Sequence, residues 1–156
     1  MDLRLERLVW RRAGRVCEYC QMPQEYDDLP FQIDHIIARK HDGQTTARNL
    51  ALACFPCNNH KGPNIAGRDP RTGRIVRLLH PRRHQWQQHF LWDGPRLVGL
   101  TAIGRATIAV PEINLPRRIV LRQTLIEEGL FPPVVAEKQS APNRRNPKRT
   151  PGGFKR

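Results

Sequence analysis

The stretch CFPCNNHKG, Cys54–Gly62, sets two cysteines either side of two residues and follows them at once with two asparagines, a histidine and a lysine. Upstream, Cys17-Glu-Tyr-Cys20 repeats the CxxC spacing. A knuckle of this kind aims two sulfurs at one ion, and two knuckles complete a tetrahedron; thiolates in that geometry favour Zn²⁺. The thirty-three residues between the pairs exceed the common short template. Loop-closure entropy grows slowly with length, so the longer insertion is tolerated. Redox chemistry is the rival reading for one CxxC and leaves the second unexplained. Four protein ligands leave no position for water, so such a zinc would staple the fold and do no chemistry. Reacting groups are therefore sought in the insertion and behind Cys57.

The insertion reads QMPQEYDDLPFQIDHIIARKHDGQTTARNLALA. Phe31, Ile33, Ile36 and Ile37 flank Asp34-His35, which implies a strand ending at that pair. A loop rich in Asp, Gly, Gln and Thr leads to Asn49 and a second short strand, Leu50-Ala-Leu-Ala. The segment from Phe55 to Lys61 reads as the start of a helix. The expectation is strand, loop, strand, helix, clamped by zinc at its edges.

Residues 15 to 62 now resemble a known family, the HNH endonucleases. The run DHIIA, Asn49 fourteen positions after His35, and Asn58 twenty-three after it match that family's motif, and many members carry flanking zinc knuckles. The third motif position, often His in the family, is Asn58 here. The resemblance implies a ββα-metal fold and metal-dependent cutting of phosphodiester bonds, leaving 5′-phosphate and 3′-hydroxyl ends. It implies His35 as the base that activates water, with Asp34 and Asn58 as ligands of one Mg²⁺ or Mn²⁺. Asn49 would hold the loop and orient His35, and Lys61 would meet a phosphate oxygen.

Elementary chemistry suits those roles. An imidazole takes and returns protons near neutral pH. Carboxylate and amide oxygens ligate hard cations, and a divalent ion offsets charge on the phosphate and the leaving oxygen. Neighbouring strand residues point to opposite faces, so Asp34 and His35 share a site only if the strand ends or bends there. Each residue also has a plainer role: Asn49 a turn residue, Asn58 a helix cap, Lys61 a solvated side chain. His60 sits two residues from Asn58 and would face away from it on a helix. It and His41, in the loop, are read as surface histidines with metal or substrate contact as the alternative.

The net charge of +13 points to a polyanion. Nucleic acid leads and an acidic membrane surface is second; that the nucleic acid is DNA is what the family resemblance implies. No apolar run is long enough to span a membrane or resembles a secretory signal, so the expected location is cytoplasmic, with thiols reduced. A zinc-stabilised nucleic-acid-binding module without cleavage is the alternative function.

Hydrophobic residues make up 38% of 156, so the core is modest. The short strand and helix signals, with the ββα core that the resemblance implies, make the expected fold α+β. Three regions are expected. Residues 1–67 hold the nuclease domain, zinc knuckles and a leading helix that Asp2 caps and Gly14 ends, with Leu5, Leu8 and Val9 on one face. Residues 68–133 form a strand and helix extension. Its expected parts are a strand in GRIVRLLHP, a hairpin turning at Asp93-Gly94, a Thr101-capped helix stopped or kinked by Pro111, and a helix from about Pro116 to Glu128. The run HPRRHQWQQHF there resembles an extension of small bacterial HNH proteins. Its tryptophans read as core before base-stacking platforms. Arg82, Arg83, Arg117, Arg118 and Arg122 read as solvated, with a phosphate-binding face as the alternative. Residues 134–156 are expected to be a disordered basic tail.

Overall fold

The computed structural model describes residues 1–134; the expected basic tail beyond them lies outside the described residues. Among the described residues the fold is α+β, with helices and three small two-stranded antiparallel sheets. Helix α1, Leu3–Ala13, opens where Asp2 accepts a hydrogen bond from the Arg4 N–H and closes at Gly14 in the left-handed conformation. Its apolar face buries Val9, while Arg12 reaches out to the carbonyls of Ala47 and Leu50, both at 2.8 Å.

The chain then turns back as the first knuckle, closed by hydrogen bonds from Cys17 N–H to the Met22 carbonyl and from Gln21 N–H to the Cys17 carbonyl. Strands β1, Gln32–His35, and β2, Leu50–Ala53, pair antiparallel with His35 opposite Leu50. The knuckle docks on the other side of β2, through Glu18 N–H to the Leu52 carbonyl at 2.9 Å. Enclosed by knuckle, β1 and α1, all four β2 residues are buried, which explains a strand that is apolar on both faces. Helix α2, Phe55–Lys61, follows at once, with Cys54 as its cap and Pro56 in the first turn, where a missing N–H costs nothing.

The extension contains more structure than its sequence pattern indicated. Strand β3, Ala66–Arg68, pairs with β4, Ile75–Arg77, so a hairpin straddles the expected division at residue 67. The tight turn after it leads to a one-turn helix α3, Trp86–His89, and the hairpin of β5, Phe90–Asp93, with β6, Arg96–Gly99. The turn residues are Gly94 and Pro95, one position later than expected. Thr101 caps α4, Ala102–Ala109, by accepting from the Gly104 N–H, and the helix ends before Pro111. Gly104 is required by a close approach: a Cβ there would sit 2.1 Å from the His89 carbonyl oxygen. Helix α5, Pro116–Glu127, completes the described chain.

The extension is fastened to the first knuckle. Trp86 Nε1–H donates to the Tyr19 carbonyl at 2.9 Å and Trp92 Nε1–H to Gln21 Oε1 at 3.2 Å. Their rings pack on Phe90 and Phe131, so these tryptophans are core and not stacking platforms. Three of the arginines expected on the surface are also structural. Arg82 pairs with Glu18. Arg118 meets Asp27 at 2.9 Å. Arg122, fully buried, donates to the carbonyls of Pro95 and Ile113 and lies over the Trp92 ring. A guanidinium is weakly hydrated and satisfies several carbonyls at once, which suits it to burial among loop ends. Arg83 and Arg117 remain exposed.

One ion pair ties α4 to the β3–β4 turn. The buried Asp69 carboxylate receives both Nε and Nη2 of Arg105, at 2.8 and 2.9 Å, and the Thr72 hydroxyl at 2.7 Å. The Arg105 hydrogen bonds hold its carboxyl well below the usual carboxylate range. A depressed folded pKa stabilises above the unfolded value, about 3.9, and the contribution is lost as pH falls below it. Chemical denaturation of wild type and Asp69→Asn from pH 7 to pH 2 should show a stability gap that is constant at neutral pH and closes below about pH 4. A gap unchanged with pH would contradict the assignment.

Candidate functional site

Two polar constellations are joined by the first knuckle. In one, the Sγ atoms of Cys17, Cys20, Cys54 and Cys57 all lie within 4.8 Å of one another, and all four residues are buried. Cys20 and Cys54, thirty-four positions apart, approach to 3.7 Å. Shared S–H hydrogen bonds pull the Cys20 thiol down and, with burial, push those of Cys54 and Cys57 up. A buried cluster cannot carry several thiolates on hydrogen bonds alone; a divalent cation with tetrahedral sulfur preference fits this donor set. Arg118 supports it from outside. Burial alone would lower its guanidinium pKa, but the field of Cys20 and Cys54 and its bond to Asp27 hold it raised.

In the second constellation, β1 ends at His35, so the pair Asp34-His35 sits where the strand gives way to a bend. Asp34 is buried. Its Oδ2 accepts from the Tyr19 hydroxyl at 2.6 Å and lies 3.0 Å from Lys61 Nζ. Lys61, only 1% exposed, also reaches the His35 carbonyl at 3.3 Å. Burial raises the Asp34 carboxyl, and Lys61 and the Tyr19 hydrogen bond oppose that rise. The Tyr19 phenol is pushed up by its own burial and by the Asp34 charge.

Lys61, which the resemblance would have meet a phosphate oxygen, is engaged here by Asp34 and the His35 carbonyl. The end of α2 points its side chain inward, where Asp34 needs a counter-charge. Tyr19 carries no signal in the sequence, where it reads as filler between two cysteines.

Asn58 lies on the half-buried side of α2. Its Nδ2–H donates to Gln32 Oε1, leaving Oδ1 without a partner among the described residues. Asn49 holds the loop, and its side-chain hydrogen bonds go to Ile37 and Gln44 and not to His35. Its Oδ1 accepts from the Ile37 N–H, and its Nδ2 donates to the carbonyls of Ile37 and Gln44, all at 2.9 Å. Gly43 is fitted into the same turn, where a Cβ would collide with the Ile37 carbonyl at 1.7 Å. The loop so closed presents Thr45, whose hydroxyl meets His35 Nε2 at 2.9 Å. Thr45 is the orienting residue that sequence reasoning missed; a threonine in a polar loop carries no signal of its own.

His60 pairs through Nδ1 with Glu112 of the extension, and His41 is exposed at the end of a 3₁₀ turn, so neither joins the constellation. Among the described residues no helix is long and apolar enough to cross a membrane.

A strand–loop–strand–helix unit with an Asp-His pair at the first strand's end, clamped by four cysteines, is the architecture of a ββα-metal site. Residues 17–64 match the family model described as HNH endonuclease. The α1 helix and nearly all of the extension lie outside the match. No curated protein and no solved structure matches the chain.

The oxygen donors of Asp34 and Asn58 suit a hard cation of the Mg²⁺ type, which keeps several waters and takes one or two protein ligands. At Asp34 such a cation competes with the Lys61 ammonium. Metal removal tests the sulfur cluster: purified protein should carry zinc, and Cys54→Ser should lose it together with its cooperative thermal transition. A zinc-free variant that melts like wild type would show that the cluster does not staple the fold.

Proposed function

We propose that the chain is a metal-dependent endonuclease that hydrolyses phosphodiester bonds in DNA, with zinc in the four-cysteine cluster and Mg²⁺ or Mn²⁺ at Asp34 and Asn58. The observation that carries this reading is the end of β1. There His35 stands half-exposed beside a buried carboxylate, with Nε2 taken by Thr45. When Nε2–H donates to the Thr45 hydroxyl, Nδ1 is the basic nitrogen, and it has no partner among the described residues.

In the proposed reaction His35 Nδ1 takes a proton from water as its oxygen attacks phosphorus, and the P–O3′ bond breaks, the departing O3′ taking a proton from a solvent water to become the 3′-hydroxyl. The divalent cation, when bound, offsets negative charge on the phosphate and on the departing O3′. Asp34 and Asn58 Oδ1 would hold that cation. Tyr19 fixes the Asp34 carboxylate, and Asn49 fixes the loop that carries Thr45. The exposed Arg39, Lys40 and Arg48 of the same loop supply positive charge around His35 to receive the backbone of a strand. DNA as substrate, and 5′-phosphate products, rest on the family resemblance.

A binding module without cleavage has one observation in its favour, the closed Asp34–Lys61 pair. Nicking of supercoiled plasmid with added Mg²⁺ or Mn²⁺ separates the two. Wild type should nick only with the divalent ion, and zinc-loaded His35→Ala should lose about 10²- to 10⁴-fold in rate while still binding DNA. Tight binding without nicking by wild type would favour the binding module. Equal nicking by both proteins would remove His35 from the base role.

A further inference from the structure

Behind the end of β1, between the HNH domain and the extension, lies a cavity of about 110 Å³. Ile36, Ile37 and Lys61 form its HNH wall. The wall from the extension carries Arg77 at the end of β4 and His80, Arg83 and His84 of the turn that follows. That turn is tight: the N–H groups of Arg83 and His84 both bond the His80 carbonyl at 2.9 Å. It divides its two arginines, sending Arg82 to Glu18 and leaving Arg83 at the cavity.

The hydrogen bonds of the two imidazoles fix what they offer. His84 Nδ1 accepts from the His80 N–H at 2.9 Å, and His80 Nδ1 accepts from the Arg82 N–H at 3.2 Å. A ring nitrogen that accepts a backbone N–H carries no proton, so each neutral ring has its proton on Nε2 and can only donate there. Neither Nε2 has a partner among the described residues, and neither do the guanidiniums of Arg77 and Arg83. No carboxylate lines the cavity. Four groups, donors only, thus meet at one opening with nothing to accept from them. Burial and the Arg83 charge lower both imidazoles, which keeps them neutral donors beside two cations.

We infer that this seam cavity is a phosphate-binding subsite, in which Arg77, His80, Arg83 and His84 of the extension hold a phosphate of the substrate strand next to the one at His35. The inference rests on nucleic acid being the partner, as proposed above. The cavity lining begins at Ile36, next to His35 in the chain, and includes Lys61, which bonds the His35 carbonyl, so the cavity lies close to His35. In the proposed subsite the donors take phosphate oxygens, while the isoleucines and leucines of the lining offer apolar contact to the sugar. The extension thereby completes the strand-binding groove that the HNH domain begins.

The test uses full-length, zinc-loaded protein without added divalent ion, so that binding is read apart from cutting. Imidazole ¹⁵N resonances of His80 and His84 are followed during titration with inorganic phosphate and, separately, with a 12-nucleotide single strand. Both rings should start as the Nε2–H tautomer and shift on ligand addition. A response to the strand at concentrations where inorganic phosphate does nothing assigns the subsite to a backbone phosphate. A response to both alike assigns it to a free or terminal phosphate and overturns the placement along a strand. Silence with both probes overturns the subsite.

Affinity of the same strand measured against salt supplies the second readout. Arg83→Ala, at an exposed position, should reduce the slope of log K against log salt by about 0.7. Arg71→Ala, an exposed arginine outside the cavity, should leave it nearly unchanged. Equal effects from the two variants would mean only diffuse charge and would contradict the subsite. If wild type binds but never nicks, the nuclease reading fails while this one stands. Loss of the Arg83 effect with nicking intact fails this one alone.

Discussion

The four sulfurs are the constraint on which the rest of the molecule depends. Two turns separated by the whole insertion are held within 4.8 Å, and both arms of the candidate site grow out of them. The first knuckle carries Tyr19, which reaches Asp34. The second supplies the cap of α2, whose next turns carry Asn58 and Lys61. A helix of seven residues is too short to form on its own, because helix nucleation is costly; anchoring its first turn through Cys54 and Cys57 removes most of that cost. The extension then packs its tryptophans on the first knuckle and places Arg118 within the field of the sulfurs. A chain with a small apolar core thus gains rigidity where its polar groups must be aimed.

At the centre of that frame is a buried charge pair. Removing a carboxylate and an ammonium from water costs several kcal/mol each, and their mutual attraction repays this only with good geometry and further hydrogen bonds. Asp34 and Lys61 have both: the Tyr19 hydroxyl completes the carboxylate's coordination and the His35 carbonyl that of the ammonium. For stability alone, apolar residues of similar volume would serve as well. On the proposed reading the pair keeps a carboxylate ionised and in position beside His35, with Lys61 supplying the positive charge that a divalent ion would take over. Burial raises the Asp34 carboxyl, and the Lys61 charge and the Tyr19 hydrogen bond oppose that rise.

Much of this was legible in the sequence, and the remainder was hidden for physical reasons. The cap residues Asp2 and Thr101 and the stops at Gly14 and Pro111 act within a few positions, so α1 and α4 were readable from local pattern. Cysteines at matched spacing declared one ion site, and a polar pair after alternating apolar residues declared the end of β1. The inward turn of Lys61, Arg82, Arg118 and Arg122 was not readable, because long basic side chains are mostly exposed and the buried partners here are distant in sequence. Arg118 and Asp27 lie ninety-one positions apart, and no local pattern pairs them. Tyr19 and Thr45 have no distinguishing signature, since their roles come from where the knuckle and the Asn49-pinned loop deliver them. Strand β3 is three residues long with one apolar side chain and gives almost no periodic signal.

The most direct test is Mn²⁺ binding to zinc-loaded protein, measured calorimetrically and by the loss of the free Mn²⁺ electron-resonance signal. Wild type and Asp34→Asn are compared at equal zinc content and without nucleic acid. Wild type should bind a single Mn²⁺ saturably and Asp34→Asn should not, because on the proposed reading the carboxylate held between Tyr19 and Lys61 is the ion's one charged protein ligand. Equal Mn²⁺ binding by the two proteins would contradict that role and leave the Asp34–Lys61 pair a purely structural bond.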